Sequence, residues 1–463
     1  MIYNLVILFL FVLQSTAFPF RLKPPSEDEF YTLPKGYKDA KPGDILRVRK
    51  TPNRLSSIFF PVNVNNVWQL VVRSEDSFGK PTAFITTIIE PYNADPSKVV
   101  SYQTFEDSAH IDCSPSYGFQ FGAPVSTIAT QLDMTYIVMA LKNGYYVNSP
   151  DYEGFNSAFT AGRRSGQAVL DSVRAVLKSE SITGIKKDAK VGLWGYSGGS
   201  LASGWAAALQ PSYAPELKKN LIGACLGGFV TNITAVAERV DGTEAAGLTP
   251  LALTGLANEY PAVRKILDKN ISPKHEKKFR LAERLCLAPA LMTFGGRNIL
   301  TGRDPMIPAG FSMLDDPTMK KIVDENSIVN LNSSFVPQIP IFVYHGRLDA
   351  VAPIKDVKTT YKNWCQWGIK SFELSEDISG SHDKVLGSPS GWTWLECIFE
   401  GEEPVTGCQS TERLSNLLFP RIAQGTIQYF LGVLDSVTHA KLGPKDNVFE
   451  FNLLNLLNFR IRF

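Results

Sequence analysis

Among 463 residues there are only 5 histidines and 6 cysteines, and no excess of charge of either sign: 47 basic side chains face 45 acidic ones. The balance comes without long blocks of like charge. A nucleic-acid partner would require a basic stripe, so no nucleic acid is expected to bind. Six thiols are too few to replace a hydrophobic core in a chain this long, so disulfides would staple a core that already exists. No Cys or His cluster has zinc spacing and no phosphate-binding glycine loop occurs, so no metal or organic cofactor is expected.

Long apolar runs are equally scarce. One, Leu5 to Leu13, is too short to cross a bilayer and leads into Ser15-Thr16-Ala17, the small residues that signal peptidase needs. Residues 1–17 therefore read as a secretory signal peptide, although the first positions carry no Lys or Arg; a buried N-terminal helix is the competing reading. The C-terminal FNLLNLLNFRIRF is broken by Asn452, Asn455, Asn458, Arg460 and Arg462, unlike the tail of a lipid-anchor signal. The expected product is a secreted, extracellular monomer with no transmembrane anchor. Asn232, Asn270 and Asn332 head glycosylation triplets that would suit a secretory route, though each also fits chance.

What is present is an alternation of strand and helix. Residues 18–66 are rich in Pro, Lys and Asp and suggest an extended arm with few elements. The runs Trp68–Arg73 and Thr82–Ile89, split by a Gly-Lys-Pro turn signal, predict a hairpin. Strands then alternate with amphipathic helices: Lys98–Thr104, Tyr145–Val147, a helix near Thr160–Lys178, Lys190–Trp194, a helix after Ser197, and Leu221–Leu226. This implies an α/β fold with a mostly parallel sheet. The alternation lapses between about Gly228 and Asn330, where helical patterns follow one another. It resumes with Ile339–Tyr344, a helix near Lys355–Trp367, a strand Ser371–Leu374 and a helix Glu412–Leu434. The expected organisation is a core of 18–227 and 335–463 interrupted by a helical insertion at 228–334.

Chemistry concentrates at Gly195-Tyr196-Ser197-Gly198-Gly199. A G-x-S-x-G alone is weak. Here it follows the apolar strand Lys190–Trp194 and precedes a helix lined with small residues, the context of a nucleophile elbow. The glycines let strand and helix pack closely around a strained serine, and the Gly198 amide at the helix N-terminus suits an oxyanion. An ordinary strand-to-helix turn is the alternative.

A serine hydroxyl needs a base, and His serves best near neutral pH. In an elbow-bearing fold the order along the chain is Ser, acid, His, which removes His110. His275 lies in a charged surface run and His439 beyond the last predicted strand. His345 closes the strand PIFVYH, and the loop after it holds Asp349, the candidate acid. His382, in Gly380-Ser381-His382-Asp383 after the next strand, is then the base; His345 packs beside the acid loop.

The elbow GYSGGS, the segment Phe105-Glu106-Asp107-Ser108, the upstream SPDYEG at 149–154, the loop HGRLDAVAP and GSHDK together resemble the fungal secretory lipase family, of which the Candida enzymes are typical. The resemblance covers nearly the whole mature chain. It implies an α/β-hydrolase fold, triacylglycerol as lipid substrate at an oil–water interface, and the triad Ser197, Asp349 and His382. It also implies an oxyanion hole of Gly198 with Asp107, and disulfides Cys113 to Cys286 and Cys365 to Cys408. Cys225 is then a buried thiol and Cys397 has no assigned place. The helical insertion becomes a cap or lid, with Gly247–Leu253 and Pro289–Phe294 as candidate acyl-chain walls, or else merely its packed interior. Hydrolysis through an acyl-enzyme, with acyl transfer to alcohols beside it, is the implied reaction. A carboxylesterase for soluble short-chain esters, a serine peptidase and a non-catalytic secreted binding protein on the same scaffold are the competing functions.

Overall fold

A computed structural model describes residues 22–444 except 59 and 383. The signal-peptide reading of residues 1–17 and the C-terminal run fall outside the described residues. The sheet begins with β1 (Ile45–Lys50), β2 (Asn66–Glu75), β3 (Pro81–Glu90), β4 (Asp95–Gln103) and β5 (Tyr145–Pro150). It continues with β6 (Lys190–Tyr196), β7 (Leu221–Gly227), β8 (Ile341–Gly346), β9 (Ser371–Asp377) and β10 (Gly407–Arg413). These ten strands lie in the order β1-β2-β3-β5-β4-β6-β7-β8-β9-β10. The pairs from β1 to β2, β2 to β3 and β3 to β5 are antiparallel, and every pairing from β5 to β10 is parallel.

The predicted hairpin is β2–β3, in register from Glu75 opposite Pro81 to Asn66 opposite Glu90. Its turn closes on Asp76, whose Oδ1 accepts from the amides of Phe78 (2.9 Å) and Lys80 (2.8 Å). The inner parallel strands β5, β6, β7, β8 and β9 are buried on both faces, as crossover helices require. Helices α2 (Gly162–Lys178) and α3 (Gly198–Tyr213) pack on one face around Val191, Leu193, Val343 and Leu374. Helix α1 (Ile128–Lys142) packs on the other, around Val100, Tyr102, Trp194 and Phe342.

Between β7 and β8 the described chain is helical, as predicted. It contains α4 (Ile233–Val240), α5 (Leu248–Glu259), α6 (Pro261–Asn270), α7 (Leu287–Phe294) and α8 (Pro317–Glu325). Buried residues of this segment, among them Leu251, Leu256, Val263, Phe279 and Phe294, form a cluster distinct from the two that flank the sheet. After β8 follow α9 (Ile354–Gln366), α10 (Lys384–Phe399) and α11 (Ile422–Val437).

The structure corrects two expectations. The supposed arm 18–66 carries β1, which pairs with β2 and forms an edge of the sheet. The helix expected over Glu412–Leu434 starts only at Ile422, beyond Pro420; Glu412 lies in β10, a parallel edge strand whose residues are largely exposed and therefore lack an apolar run. Helices α1 and α10 were not anticipated. The first is buried over most of its length and so shows no amphipathic period.

β4 and β6 are neighbours, but the chain leaves β4 to form β5 on one side and returns to form β6 on the other. Such a switch point opens a crevice at the carboxyl ends of the strands. Asp107 follows β4 and Ser197 follows β6, so both stand at that crevice.

Candidate active site

Ser197 sits between β6 and α3 with φ 53° and ψ −122°, a conformation that a non-glycine residue holds only under constraint. The constraint is close packing. A Cβ on Gly195 would lie 2.2 Å from the Gly199 carbonyl oxygen, and one on Gly199 would lie 2.0 Å from that of Gln103. Backbone of β4, β6 and α3 therefore meets where no side chain fits. The Ser197 amide is anchored to Gly227 O of β7 at 2.9 Å.

His382 closes the next contact. Its Nε2 lies 2.9 Å from Ser197 Oγ and its Nδ1 lies 2.7 Å from Asp349 Oδ2. Because the carboxylate can only accept, Nδ1 carries the proton and Nε2 is left to accept from the serine hydroxyl. The His382 ring rests over Tyr196 at 5.2 Å between centroids. Asp349 has no exposed side-chain surface. Its Oδ1 accepts from the amides of Val351 (2.8 Å) and Ala352 (2.6 Å). Burial raises its pKa, but the hydrogen bond and charge of His382, the nearby His345 and the Val351 amide together hold the carboxyl below its usual range. An ionised acid is thus available to orient the imidazole.

His345 packs beside the acid, as the sequence suggested. Its Nδ1 accepts from the Phe229 amide at 2.9 Å, and its Nε2 donates to Ala352 O at 2.9 Å. Nε2 is also 3.5 Å from Asp349 Oδ2. Burial lowers its pKa, in keeping with the neutral ring that this bonding requires. The other histidines lie elsewhere: His110 beside Asp112, His275 beside Asp304, and His439 against Pro61 O.

Sequence reasoning missed Asp377. Its carboxylate accepts from the Ser379 amide (3.1 Å) and the Asn416 amide (2.8 Å). Its carbonyl accepts from the Arg347 amide at 2.7 Å, while Leu348 N donates to Gly380 O at 2.9 Å. Asp377 thus ties the histidine loop to the acid loop and to the segment after β10. An acid at the end of a strand has no distinguishing pattern, so nothing in the sequence marked it.

Asp107 is buried, with φ 44°. A Cβ on Gly198 would fall 1.7 Å from Asp107 Oδ1, so the two residues predicted to face an oxyanion are in intimate contact. Gly198 is the first residue of α3, and first-turn amides have no intrahelical acceptor. Above Ser197 a mainly apolar cavity is lined by Leu201, Val230, Ile233, Val236, Leu248 and Ala252, with Asp107 and Gly198 at its floor. Of the two predicted walls, 247–253 contributes Leu248, Thr249 and Ala252; 289–294 contributes none, with Ala290 and Phe294 packed inside the helical cluster and Met292 exposed. Disulfides join Cys113 to Cys286 and Cys365 to Cys408, while Cys225 is a buried thiol and Cys397 lies partly buried near Arg421. Of the sequon asparagines, Asn332 is exposed; Asn232 and Asn270 are half-buried and donate from their amides to Asp356 and Ile266 O.

A mostly parallel sheet wrapped by helices, with serine, acid and histidine in that order after β6, β8 and β9, defines the α/β-hydrolase class. Within that class the chain belongs to the secretory lipase family, whose model matches residues 119–407. It is 57% identical to Lipase 1 of Candida albicans over 437 residues, 93% of each chain. It is 55% identical to Lipase 6 of the same organism over 441 residues, 95% of each chain. Its fold superposes on the crystal structure of Candida antarctica lipase A in its closed state with a TM-score of 0.77 at 25% identity, covering 92% of this chain and 99% of that one. The protein is a lipase, a serine carboxylic ester hydrolase.

Proposed function

We propose that the protein hydrolyses triacylglycerol outside the cell by a two-step acyl transfer centred on Ser197. The observation that carries this reading is the continuous hydrogen-bonded chain from Asp349 through His382 to Ser197 Oγ at the floor of an apolar cavity. His382 takes the serine proton as Oγ attacks the ester carbonyl; Asp349 holds the ring and stabilises its positive form; the backbone amides of Gly198 and Asp107 donate to the oxyanion. His382 then returns the proton to the departing alcohol. Water, or a second alcohol, releases the acyl group from Ser197 by the reverse path.

In this reading residues 1–17 are removed on secretion. Residues 18–227 and 335–463 form the catalytic core and 228–334 the cap. The space above Ser197 open to the centre of a water-sized sphere is about 40 Å³, less than a long acyl chain needs. A long acyl chain enters only when α4 and α5 move away from α3, as a lid opening at a lipid surface would allow. Exposed Asn332 is the glycosylation site this reading favours.

The test is hydrolysis of emulsified long-chain triacylglycerol beside a soluble short-chain ester, for the protein and its Ser197→Ala variant. The emulsion is expected to be hydrolysed, and the variant to lose roughly 10⁴-fold or more in kcat. Cleavage of the short ester alone makes the protein an esterase with a closed roof. A variant as active as the parent removes Ser197 from the reaction.

A further inference from the structure

Two acidic motifs contribute only Asp107 to the acyl-transfer chemistry. Phe105-Glu106-Asp107-Ser108 follows β4, and Asp151-Tyr152-Glu153-Gly154 follows β5, the strand hydrogen-bonded beside it. They bury four carboxyl groups together: Glu106, Asp107 and Asp151 are each 3% exposed and Glu153 is 1% exposed. Asp151 is well provided for, accepting from the Ser116 amide (2.8 Å) and hydroxyl (2.5 Å). Glu106 and Glu153 are not. Glu106 Oε2 and both carboxyl oxygens of Glu153 are buried without a well-formed hydrogen bond.

The surroundings leave few ways to relieve this. The charges that act on Glu106 are those of Glu153, Asp151 and Asp107, all negative. Glu153 feels Asp107 and Asp151, while the Ser108 amide and Arg164 favour its ionised form without a well-formed hydrogen bond. Arg164 is already paired with Glu259 at 2.6 Å. Tyr152, between the acids, gives its hydroxyl to Thr104 O at 2.7 Å. No group of three or more acids, His or Cys among the described residues is arranged to hold a metal ion. Buried carboxylates without donors or counter-charge take up protons, and a protonated carboxyl is itself a donor.

We propose that Glu106 and Glu153 are both held protonated at neutral pH, and that their neutrality is the positioning device that keeps the Asp107 loop against Gly198. The inference rests on the reading of Asp107 and Gly198 as the oxyanion site. It accounts for the burial of both motifs, because neutral carboxyls tolerate a burial that charged ones do not. Asp107, at φ 44°, occupies a backbone conformation that lasts only while its neighbours fix it. Burial pushes Glu106 and Glu153 well above the usual carboxyl range, with the neighbouring carboxylates adding to the effect, and burial raises Asp151 to about 7.

Loss of either proton to solvent as pH rises leaves a negative charge among buried carboxyl groups. Repulsion then opens the loop and withdraws Asp107 from the oxyanion. The sign for stability is the same. Each raised carboxyl holds in the folded state a proton that the unfolded chain releases near pH ~4.3, so stability is greatest below that pH and declines as pH climbs toward the folded pKa.

The test uses the whole secreted protein. Infrared spectroscopy at pH 7 is expected to show a protonated carboxyl carbonyl band that diminishes in Glu106→Gln. In pH profiles on a soluble ester, Glu106→Ala is expected to lower kcat about tenfold at unchanged KM, and Glu106→Gln to restore it to within about threefold and move the alkaline limb up by about one pH unit. If Glu106→Gln does not fold, Glu153→Gln carries the same expectation. A parent protein without the band, or an alkaline limb that both amide variants leave in place, overturns the proposal. Failure of the oxyanion and triad reading looks different: full activity in Ser197→Ala, whatever the infrared spectrum shows.

Discussion

Around Ser197 two regions meet that are built on different physics. The sheet supplies Asp107, Ser197, Asp349 and His382 from the ends of β4, β6, β8 and β9, and each is held by backbone hydrogen bonds or by glycine contacts that leave no space. The helices between β7 and β8 supply Ile233, Val236, Ala237, Leu248 and Ala252, whose side chains are held by apolar packing. Directional contacts fix atoms to within tenths of an ångström, whereas apolar packing tolerates exchange of similar volumes. The proposed reacting groups therefore belong to the rigid region and the proposed access route to the adaptable one.

The largest effect should come from breaking the rigid side. Gly198→Ala puts a methyl group where Asp107 Oδ1 now sits, so either the loop after β4 or the elbow must shift. The expected loss is roughly 10²–10³ in kcat with little change in KM, the scale of losing one oxyanion donor. Steady-state kinetics on a soluble ester measures it. An alanine variant with parental kcat would mean that the Asp107 contact is incidental.

The next effect tests how the two regions are joined. Arg164 of α2 and Glu259 of α5 form a buried pair at 2.6 Å, with side chains 2% and 1% exposed. Glu259 also accepts from the Ser77 amide of the β2–β3 turn at 2.6 Å. The buried arginine holds the glutamate below its usual pKa against the upward push of burial. Arg164→Met leaves that carboxylate buried without its cation, and should cost about 3–5 kcal/mol in urea unfolding. The double variant with Glu259→Leu should recover part of the loss. If the single variant is as stable as the parent, the helical segment is secured elsewhere, for example by the Cys113–Cys286 disulfide.

The same division explains what could be read from the sequence. The elbow was legible because close backbone approach demands glycines at fixed offsets from the serine, directly after an apolar strand. Asp349 and His382 were legible through the order of strands. Asp107 came only by family resemblance, since its position depends on a backbone conformation that leaves no residue pattern. Helix α10 was hidden by Gly387, Pro389 and Gly391, which read as a loop. Two of these serve packing: a Cβ on Gly391 would lie 2.6 Å from the Tyr344 ring and 2.9 Å from Cys225 Sγ, and one on Gly387 would lie 2.9 Å from Tyr344. Glycine required for contact and glycine required for a turn look alike in a sequence.

The smallest effect concerns the adaptable side. Ala252 of α5 lines the cavity opposite the elbow helix, and its carbonyl accepts from Thr160 Oγ1 at 3.2 Å, which fixes where a larger side chain would project. Ala252→Phe fills space that a long acyl chain must cross but leaves Ser197, His382 and Asp349 untouched. Short esters should keep most of their kcat/KM, while long-chain esters lose about tenfold relative to them, the range that steric exclusion in an apolar pocket supplies. The ratio of butyrate to palmitate hydrolysis for matched soluble esters reads this directly. An unchanged ratio would mean that the acyl chain leaves Ser197 by another path, and that α5 covers the site without shaping it; a proportional loss on both esters would mean that α5 does more than pack, because it then reaches the geometry of the reacting groups.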